Sequence, residues 1–319
     1  MLHNQNSIFI VNATVSIALA TYNGERFLRE QLDSIYSQSY PPSEVVVTDD
    51  RSTDATIAIL EEYKRKKGLQ YFINETRLGF LKNFEKAISL CSGDYIALSD
   101  QDDVWHPDKI RISLEEIRDF PLVCSDVSII DEKGALVAQS YRRRLHIPIP
   151  EQDNQFCSLA FINFVTGSTC LFPRAMRTRF LPIPEEAMSH DWWMGIQATQ
   201  FGGVKYIKRA LVRHRRHGVN AIGVKELWSL SGRLRYVLSK ERKTIFEKEK
   251  ARIQYYLKHG IYSGDAQEEF LKDLLLHYTD ILESVLHTKA FRIVWKHRRS
   301  LFREIGPAAK WTYMLGRLF

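Results

Sequence analysis

The sequence predicts an α/β fold built on a mostly parallel sheet flanked by helices, with a helical extension at its C-terminal end. Three observations predict it. Apolar, β-branched runs alternate with amphipathic stretches from Val15 to Ile110. Acids and turn-forming residues follow those runs at their C-terminal ends. From Lys225 onward, helical spacing replaces the alternation.

In chain order, "VSIALATYN" (15–23) reads as a buried strand running into a loop. Phe27, Leu28, Leu32, Ile35 and Tyr36 recur at helical spacing until "SYPPS" stops them. "EVVVTDD" (44–50) is a second strand with two acids at its end, followed by a helix from about Asp54 to Lys67, N-capped by Ser52 or Thr53. "LQYFIN" is a short strand, "FLKNFEKAISLC" a helix ended by Gly93, and "DYIALSDQDD" a fourth strand. Pro107 suits the first turn of the helix after it.

The pattern then loosens. "PLVCSDVSII" is strand-like, 141–154 reads as a loop, and "FVTGSTCLF" (164–172) as a glycine-broken strand. "SHDWWMGIQATQFG" (189–202) is a helix with His190 and Asp191 at its start, and "VKYIKRALVRHRRHGVNAIG" a strand entering a basic loop. The C-terminal region turns at "HGIYSGD" (259–265). These boundaries give two domains, 1–224 and 225–319.

Charge separates the same two regions. The chain of 319 residues carries a formal +7, yet 225–319 holds 19 basic and 11 acidic residues, leaving 1–224 near neutrality. Residues 287–319 contain eight basic residues and one acid, interleaved with Phe291, Trp295, Phe302 and Trp311. That composition suits an interfacial amphipathic segment as well as an oligomer-forming or core-packing hairpin. Nucleic-acid binding is not expected, because no recognition motif accompanies the charge. The four cysteines (Cys91, Cys124, Cys157, Cys170) form no CxxC pair, which suggests buried thiols in a reducing compartment. The start, "MLHNQNSIFIVNATVS", lacks the basic and apolar regions of a secretory leader, so no signal peptide is expected. No apolar run approaches the ~20 residues that span a bilayer. A cytoplasmic location follows, with contact at the inner face of the membrane as an option.

"LSDQDDVWHPDKI" (98–110) crowds Asp100, Asp102 and Asp103 at a strand end. Like charges there repel, unless a divalent cation supplies the opposite charge. A bare D-x-D-D is more often a solvated turn. The buried strand before it and the acids at 49–50 favour a site, since ligands of open α/β sheets bind beyond the carboxyl ends of the strands. Asp191 at a helix start reads equally as a cap or as a general base. His214 and His217 stand three apart, but no Cys or further His lies at zinc-finger spacing.

"VSIALATYNGERFLREQLDSIYSQSY", "VVVTDDRSTDAT" and "GDYIALSDQDDVWHPDKI" together resemble the nucleotide-binding half of family 2 glycosyltransferases, enzymes of GT-A fold. "NFVTGSTCLF", "HDWW" and "RHRRHGVNAIG" resemble their rhamnosyltransferase-type branch, and the ordered series covers roughly 14 to 224.

The resemblance implies an inverting, metal-dependent transfer from a nucleotide diphosphosugar donor to a saccharide acceptor, lipid-linked in some cases, for surface polysaccharide synthesis. It suggests dTDP-L-rhamnose as donor and Mg²⁺ or Mn²⁺ as cofactor. Tyr22 would stack on the base and Asp50 would bind base or ribose. Lys82, beside Asn83, would face the phosphates. Asp102 would contact ribose or metal, and Asp103, with Asp100, would hold the ion. His217 would touch metal or diphosphate, and Arg215 or Arg216 the leaving group. Asp191 matches the general base, while His190 stands where many members have Glu. Gly167, His190 and Trp192 would meet the acceptor. His214, Arg216 and Val219 replace the Tyr, Gln and first Asn of the family's usual loop. A catalytically silent nucleotide-sugar-binding protein and a metal-dependent nucleotidyltransferase are the rival functions; a homo-oligomer is compatible with all three.

Overall fold

The computed structural model describes residues 12–145, 147–217, 240–283, 288–298 and 301. Gly218–Asn220 of the basic loop, and Phe302 and Trp311 of the terminal stretch, lie outside them. The chain divides into two compact units. The first takes residues up to Arg144, with Val165–Ile183 and Ser189–Arg216. The second takes Leu145–Phe164, Pro184–Met188 and the described residues from His217 onward.

The first unit is organised by its sheet. β1 (Val15–Thr21) lies between β2 (Glu44–Asp49) and β4 (Tyr95–Ser99), and β3 (Gln70–Ile73) pairs with β2 at the edge, all parallel. Val15, Ile17, Ala18 and Leu19 are fully buried, as expected for a strand covered on both faces. The register sets Thr21 against Asp49 and Leu19 against Ser99, so the three central strands end at one edge of the sheet.

The other half is mixed. Beyond β4 come β8 (Leu171–Pro173), β6 (Leu122–Ile130), β9 (Val204–Arg215) and β5 (Val104–Trp105), with β7 (Leu136–Ala138) paired to β6. β6 and β9 run parallel, whereas β8, β7 and β5 pair antiparallel to their neighbours.

The connecting helices follow the apolar spacing. α1 (Leu28–Tyr36) buries Leu28, Leu32 and Ile35, and Gln31 Nε2 donates to Ser99 Oγ at 2.7 Å, tying the helix to the end of β4. α2 (Thr56–Lys67) starts two residues later than its apolar pattern suggested. Its entry is fixed by Asp54, whose Oδ1 accepts the Thr56 N–H at 3.0 Å, and Gly68 closes it with φ 72°. α3 (Phe80–Leu90) stops at Leu90, with Gly93 in the turn that follows. α4 spans Lys109–Ile117.

The region expected to be a loop holds a short helix, α5 (Tyr141–Leu145), and a 3₁₀ turn at Gln152–Asn154. Asp126 anchors α5 by accepting the Ser140 hydroxyl at 2.5 Å and the Arg142 N–H at 3.4 Å, a tertiary contact that leaves no periodic trace. The glycine-broken strand resolves into a 3₁₀ turn at Gly167–Thr169 followed by β8. α7 (Arg177–Phe180) and α8 (His190–Thr199) complete this unit together with β9. In the second unit α6 covers Gln155–Phe161.

The second unit is otherwise helical, with α9 (Lys240–His259), α10 (Asp265–Glu283) and α11 (Thr288–Lys296). Its core contains Ile253, Tyr256, Phe270, Leu271, Leu274 and Tyr278. Buried Arg252 pairs with Glu249 and donates to the Ala160 carbonyl at 2.9 Å, so the charge enters the core only with partners. The turn expected at 259–265 is present, with Gly260 and Gly264 at φ 63° and 84°. Among the described residues no helix is long and apolar enough to cross a membrane. Cys91, Cys124 and Cys170 are buried free thiols, and burial pushes each above its ordinary range.

Candidate active site

The edge where β1, β2 and β4 end carries two tightly turned loops. Asn23 and Arg51 adopt φ 47° and 66°, a left-handed conformation that is costly for Arg and easier for Asn. Asn23 Oδ1 accepts the Thr53 N–H at 2.8 Å, and Arg51 Nη1 donates to the Glu75 carbonyl at 2.6 Å. Asp49 locks β1 to β2 by accepting the Thr21 hydroxyl at 2.8 Å and the Ser52 N–H at 2.8 Å.

Asp50 is 3% exposed. Its carboxylate accepts Asn74 Nδ2 at 3.0 Å and the Leu78 and Gly79 N–H groups at 2.6 and 2.8 Å. It therefore clamps the loop between β3 and α3 against the strand end. That loop delivers Arg77, whose guanidinium lies 3.9 Å from the centroid of the Tyr22 ring. Tyr22 itself is held through its backbone: its N–H donates to Gln101 Oε1 at 2.9 Å, and Gln101 Nε2 donates to its carbonyl at 3.0 Å. The Gln101 side chain passes over Gly24, where a Cβ would come within 2.4 Å of Oε1. Neither Arg77 nor Gln101 carries a signal in the sequence. Both act through loops that only the fold brings together.

The acids after β4 separate in role. Asp103 is fully buried, whereas Asp100 and Asp102 are partly exposed. The antiparallel pair β5–β9 sets Val104 against Arg213, which carries the next residues, Asp103 and His214, toward each other. His214 Nδ1 lies 2.9 Å from Asp103 Oδ1, without the alignment of a hydrogen bond. Asp100, Asp103 and His214 form the one group among the described residues whose ligating atoms gather, all within 4.8 Å of one another. His217 and the Asp102 carboxylate are not in that group. Asp103 was expected there; His214 joins it because of strand pairing, not spacing.

Electrostatics distinguish the two clustered acids. Burial and the charges of Asp103 and Asp102 raise Asp100 well above the carboxylate range. Burial also acts against the charge of Asp103, but His214 and the Arg215 N–H at 3.1 Å hold it below that range. Burial opposes a charged ring at His214, yet Asp103 with Asp102 and Asp100 lifts it to about 9. Asp103 Oδ2 and His214 Nδ1 have no hydrogen-bond partner, although both are buried. Two carboxylates and an imidazole with unsatisfied inward atoms suit a divalent cation of the Mg²⁺ or Mn²⁺ kind.

Arg215 occupies a different place from the leaving-group position expected of it. It is 1% exposed and braces the loops from beneath. Its Nε donates to the Asp102 carbonyl at 3.0 Å, its Nη1 reaches the Asp131 and Glu132 carbonyls at 3.4 and 3.3 Å, and Nη2 pairs with Glu30. Lys82 is likewise turned to its own chain, donating to Glu85 at 2.9 Å and to the Ile183 carbonyl at 2.7 Å. Arg216 is half-buried, and its charge is felt by Tyr141, which also senses Asp191.

Asp191 sits in the first turn of α8 after the N-cap Ser189. Its Oδ1 accepts the Ser189 hydroxyl and the Trp192 N–H (2.7 Å), and Oδ2 accepts the Gly167 N–H at 2.9 Å. His190 is 6% exposed, and its ring stacks on Phe84 at 4.0 Å. Both ring nitrogens are sealed from solvent without a partner, so the ring packs in this conformation and does not present a nitrogen to a ligand. Burial depresses its basicity and keeps it neutral, against the pull of Asp191. A Cβ on Gly167 would meet His190 Nε2 at 2.4 Å, so Gly167, His190 and Asp191 interlock. Trp193 anchors α8 through Nε1 to the Phe180 carbonyl at 2.8 Å, and Trp192 is 8% exposed.

Comparison with known proteins gives the family and the fold. The model of "Glycosyl transferase family 2" matches residues 16–179. An uncharacterised protein of Mycobacterium tuberculosis is 29% identical over 214 residues, 64% of this chain and 59% of its own length. The chain thus spans under two thirds of that relative. A dTDP-rhamnosyl transferase, RfbG of Shigella flexneri, is 38% identical over 103 residues, 30% of this chain and 36% of its own. Among solved structures, the mannosyltransferase PcManGT of Pyrobaculum calidifontis, in complex with GDP-Man and Mn²⁺, superposes with a TM-score of 0.57 at 16% identity. That match covers 96% of this chain and 85% of the other, and shows a shared GT-A fold.

Proposed function

Since the chain belongs to glycosyl transferase family 2, we propose that it is an inverting, metal-dependent enzyme carrying a sugar from a nucleotide diphosphosugar to a saccharide acceptor. The observation that carries this reading is the pairing of two features in one unit. The Asp100–Asp103–His214 cluster stands at the strand ends, and Asp191 is held by three donors near enough for its charge to raise Asp100.

In this reading Tyr22 and Arg77 receive the base, and Asp50 acts through the loop it clamps. Asp100, Asp103 and His214 hold the cation, and Asp102 contributes charge beside them. A bound Mg²⁺ or Mn²⁺ would neutralise charge on the departing nucleoside diphosphate. Arg216 and His217 adjoin that region in sequence and assist the leaving group, while Arg215 and Lys82 support it from behind. Asp191 takes the proton of the acceptor hydroxyl as that oxygen attacks the anomeric carbon from the face opposite the diphosphate. Three of the roughly four lone-pair sites of its carboxylate are engaged, which fixes its direction and leaves one for the hydroxyl. Gly167 and Trp192 border this acceptor side, with His190 packed behind them.

The similarity to a dTDP-rhamnosyl transferase supports dTDP-L-rhamnose as the first donor to try, and a growing surface polysaccharide as acceptor. In the second unit, Trp295 of α11 is exposed with the Arg298 guanidinium over its ring, which supports peripheral contact with a cytoplasmic membrane face. The test is Asp191→Asn in a nucleoside-diphosphate release assay across nucleotide sugars. Turnover falls by at least about 100-fold while donor binding survives. Unchanged turnover removes Asp191 from the base role, and release of pyrophosphate from a nucleoside triphosphate would replace glycosyl transfer with nucleotidyl transfer.

A further inference from the structure

The peptide that joins Thr166 to Gly167 carries the Asp191 contact on one side and a group of donors on the other. Its N–H belongs to Gly167 and donates to Asp191 Oδ2 at 2.9 Å. Its oxygen belongs to Thr166 and accepts the Thr169 hydroxyl at 2.7 Å, the Thr169 N–H at 3.0 Å and the Cys170 thiol at 3.5 Å. A trans peptide is planar, with its C=O and N–H pointing in opposite directions. Whatever fixes the Thr166 oxygen therefore also aims the Gly167 N–H.

A threonine hydroxyl bonded to the carbonyl three residues earlier is an ordinary local contact. Here it is a tertiary tie as well. Thr169 Oγ1 accepts the Ser125 N–H of β6 at 3.1 Å while its proton goes to the Thr166 carbonyl. Ser125, Ser168 and Thr169 are all buried, so no solvent stands in for these bonds. The Cys170 N–H closes the turn on the Gly167 carbonyl at 2.9 Å. The turn thus hangs from β6 through one side-chain oxygen, and Asp191 at the start of α8 is held to the turn through Gly167.

We propose that Thr169 is a positioning residue for Asp191: its hydroxyl, anchored to β6, pins the Thr166 carbonyl and so aims the Gly167 N–H at the carboxylate. This rests on the reading of Asp191 as the general base. Thr169 acts through the peptide and not on the substrate. It gives a physical reason for a hydroxyl at a buried position where valine has nearly the same shape but would leave the Ser125 N–H without this acceptor.

The test is a double-mutant cycle on the full chain between Thr169→Val and Asp191→Asn. Turnover is read by nucleoside-diphosphate release with dTDP-L-rhamnose, or with whichever nucleotide sugar of the panel above wild type consumes, and donor affinity by titration. All measurements are made well below the melting temperature. Thr169→Val lowers turnover about tenfold with donor affinity retained, and Thr169→Ser, which keeps the hydroxyl, stays within about twofold of wild type. On the Asp191→Asn background Thr169→Val causes no further loss, because the carboxylate that it positions is gone. A purely structural role would remove the same factor from both backgrounds. Where Thr169→Val gives no cooperative melt, Thr169→Ala replaces it in the same cycle. Wild-type turnover in Thr169→Val, or an equal loss on both backgrounds, overturns the role of Thr169 and leaves the base reading standing. Unchanged turnover in Asp191→Asn alone overturns the base reading, and the inference with it. No release from wild type with any donor overturns the transferase reading and the inference together.

Discussion

Replacing Gly167 by alanine places a methyl group where the structure has no room for one. The new Cβ would stand 2.4 Å from His190 Nε2, 3.1 Å from its Cε1 and 3.5 Å from the Asp191 Cβ. Restoring an ordinary contact requires the ring to retreat by about 1 Å. Its stacked face lies 4.0 Å from the Phe84 ring, and Phe84 is 4% exposed, so the retreat strains a packed core. Overpacking of this kind costs about 1–3 kcal/mol. The alternative is for the Gly167 backbone to move, which lengthens its 2.9 Å hydrogen bond to Asp191 Oδ2. A general base displaced by about 1 Å loses about 100-fold in turnover. The assay combines thermal melting, donor binding by titration and nucleoside-diphosphate release with acceptor present. Gly167→Ala should melt lower and turn over about 100-fold more slowly, with donor affinity retained. Removing the ring in Gly167→Ala/His190→Ala should recover part of the lost turnover, because the clash is with the imidazole. Wild-type melting and turnover in Gly167→Ala would refute the interlock.

Arg215→Ala removes a buried guanidinium that donates to the Asp102, Asp131 and Glu132 carbonyls and pairs with the half-exposed Glu30 carboxylate, and should lower stability by about 2 kcal/mol in denaturant titration. Unchanged stability with a weakened donor KM would instead return Arg215 to the leaving group. His214 is raised from 6.5 to about 9 in the folded chain, so its stabilising pair with Asp103 is fully present below about pH 6.5 and is lost as pH rises through about 9. In chelator, unfolding free energy should fall across that window for wild type more than for His214→Gln. Parallel pH profiles for the two would remove the pair.

The legible part of the fold is the part made by local pattern. β1, β2 and β4 announce themselves because strands buried on both faces must be largely apolar, and Val15–Leu19 carries one polar residue, the buried Ser16. The acids after β4 were legible as a candidate site, because three carboxylates crowded at a strand end demand a compensating charge. α5 was not legible, since five residues carry no period and Asp126 fixes them from β6. The start of α2 shifted for a related reason, with Asp54 bonding the Thr56 N–H in place of a cap at Ser52 or Thr53.

By itself the sequence determined the alternation of elements, the strand ends at which Tyr22, Asp50 and Asp100–Asp103 gather, and the helix start that carries Asp191. Parallel strands with acids at their carboxyl ends have little freedom to put those residues elsewhere. Tertiary structure decided which groups meet. The antiparallel pairing of β5 with β9 selected His214 for the side of Asp103 and turned Arg215 inward as a brace. Each of these depends on contact between segments distant in sequence, and the energies involved are those of desolvated charges, which exist only once the chain has closed around them.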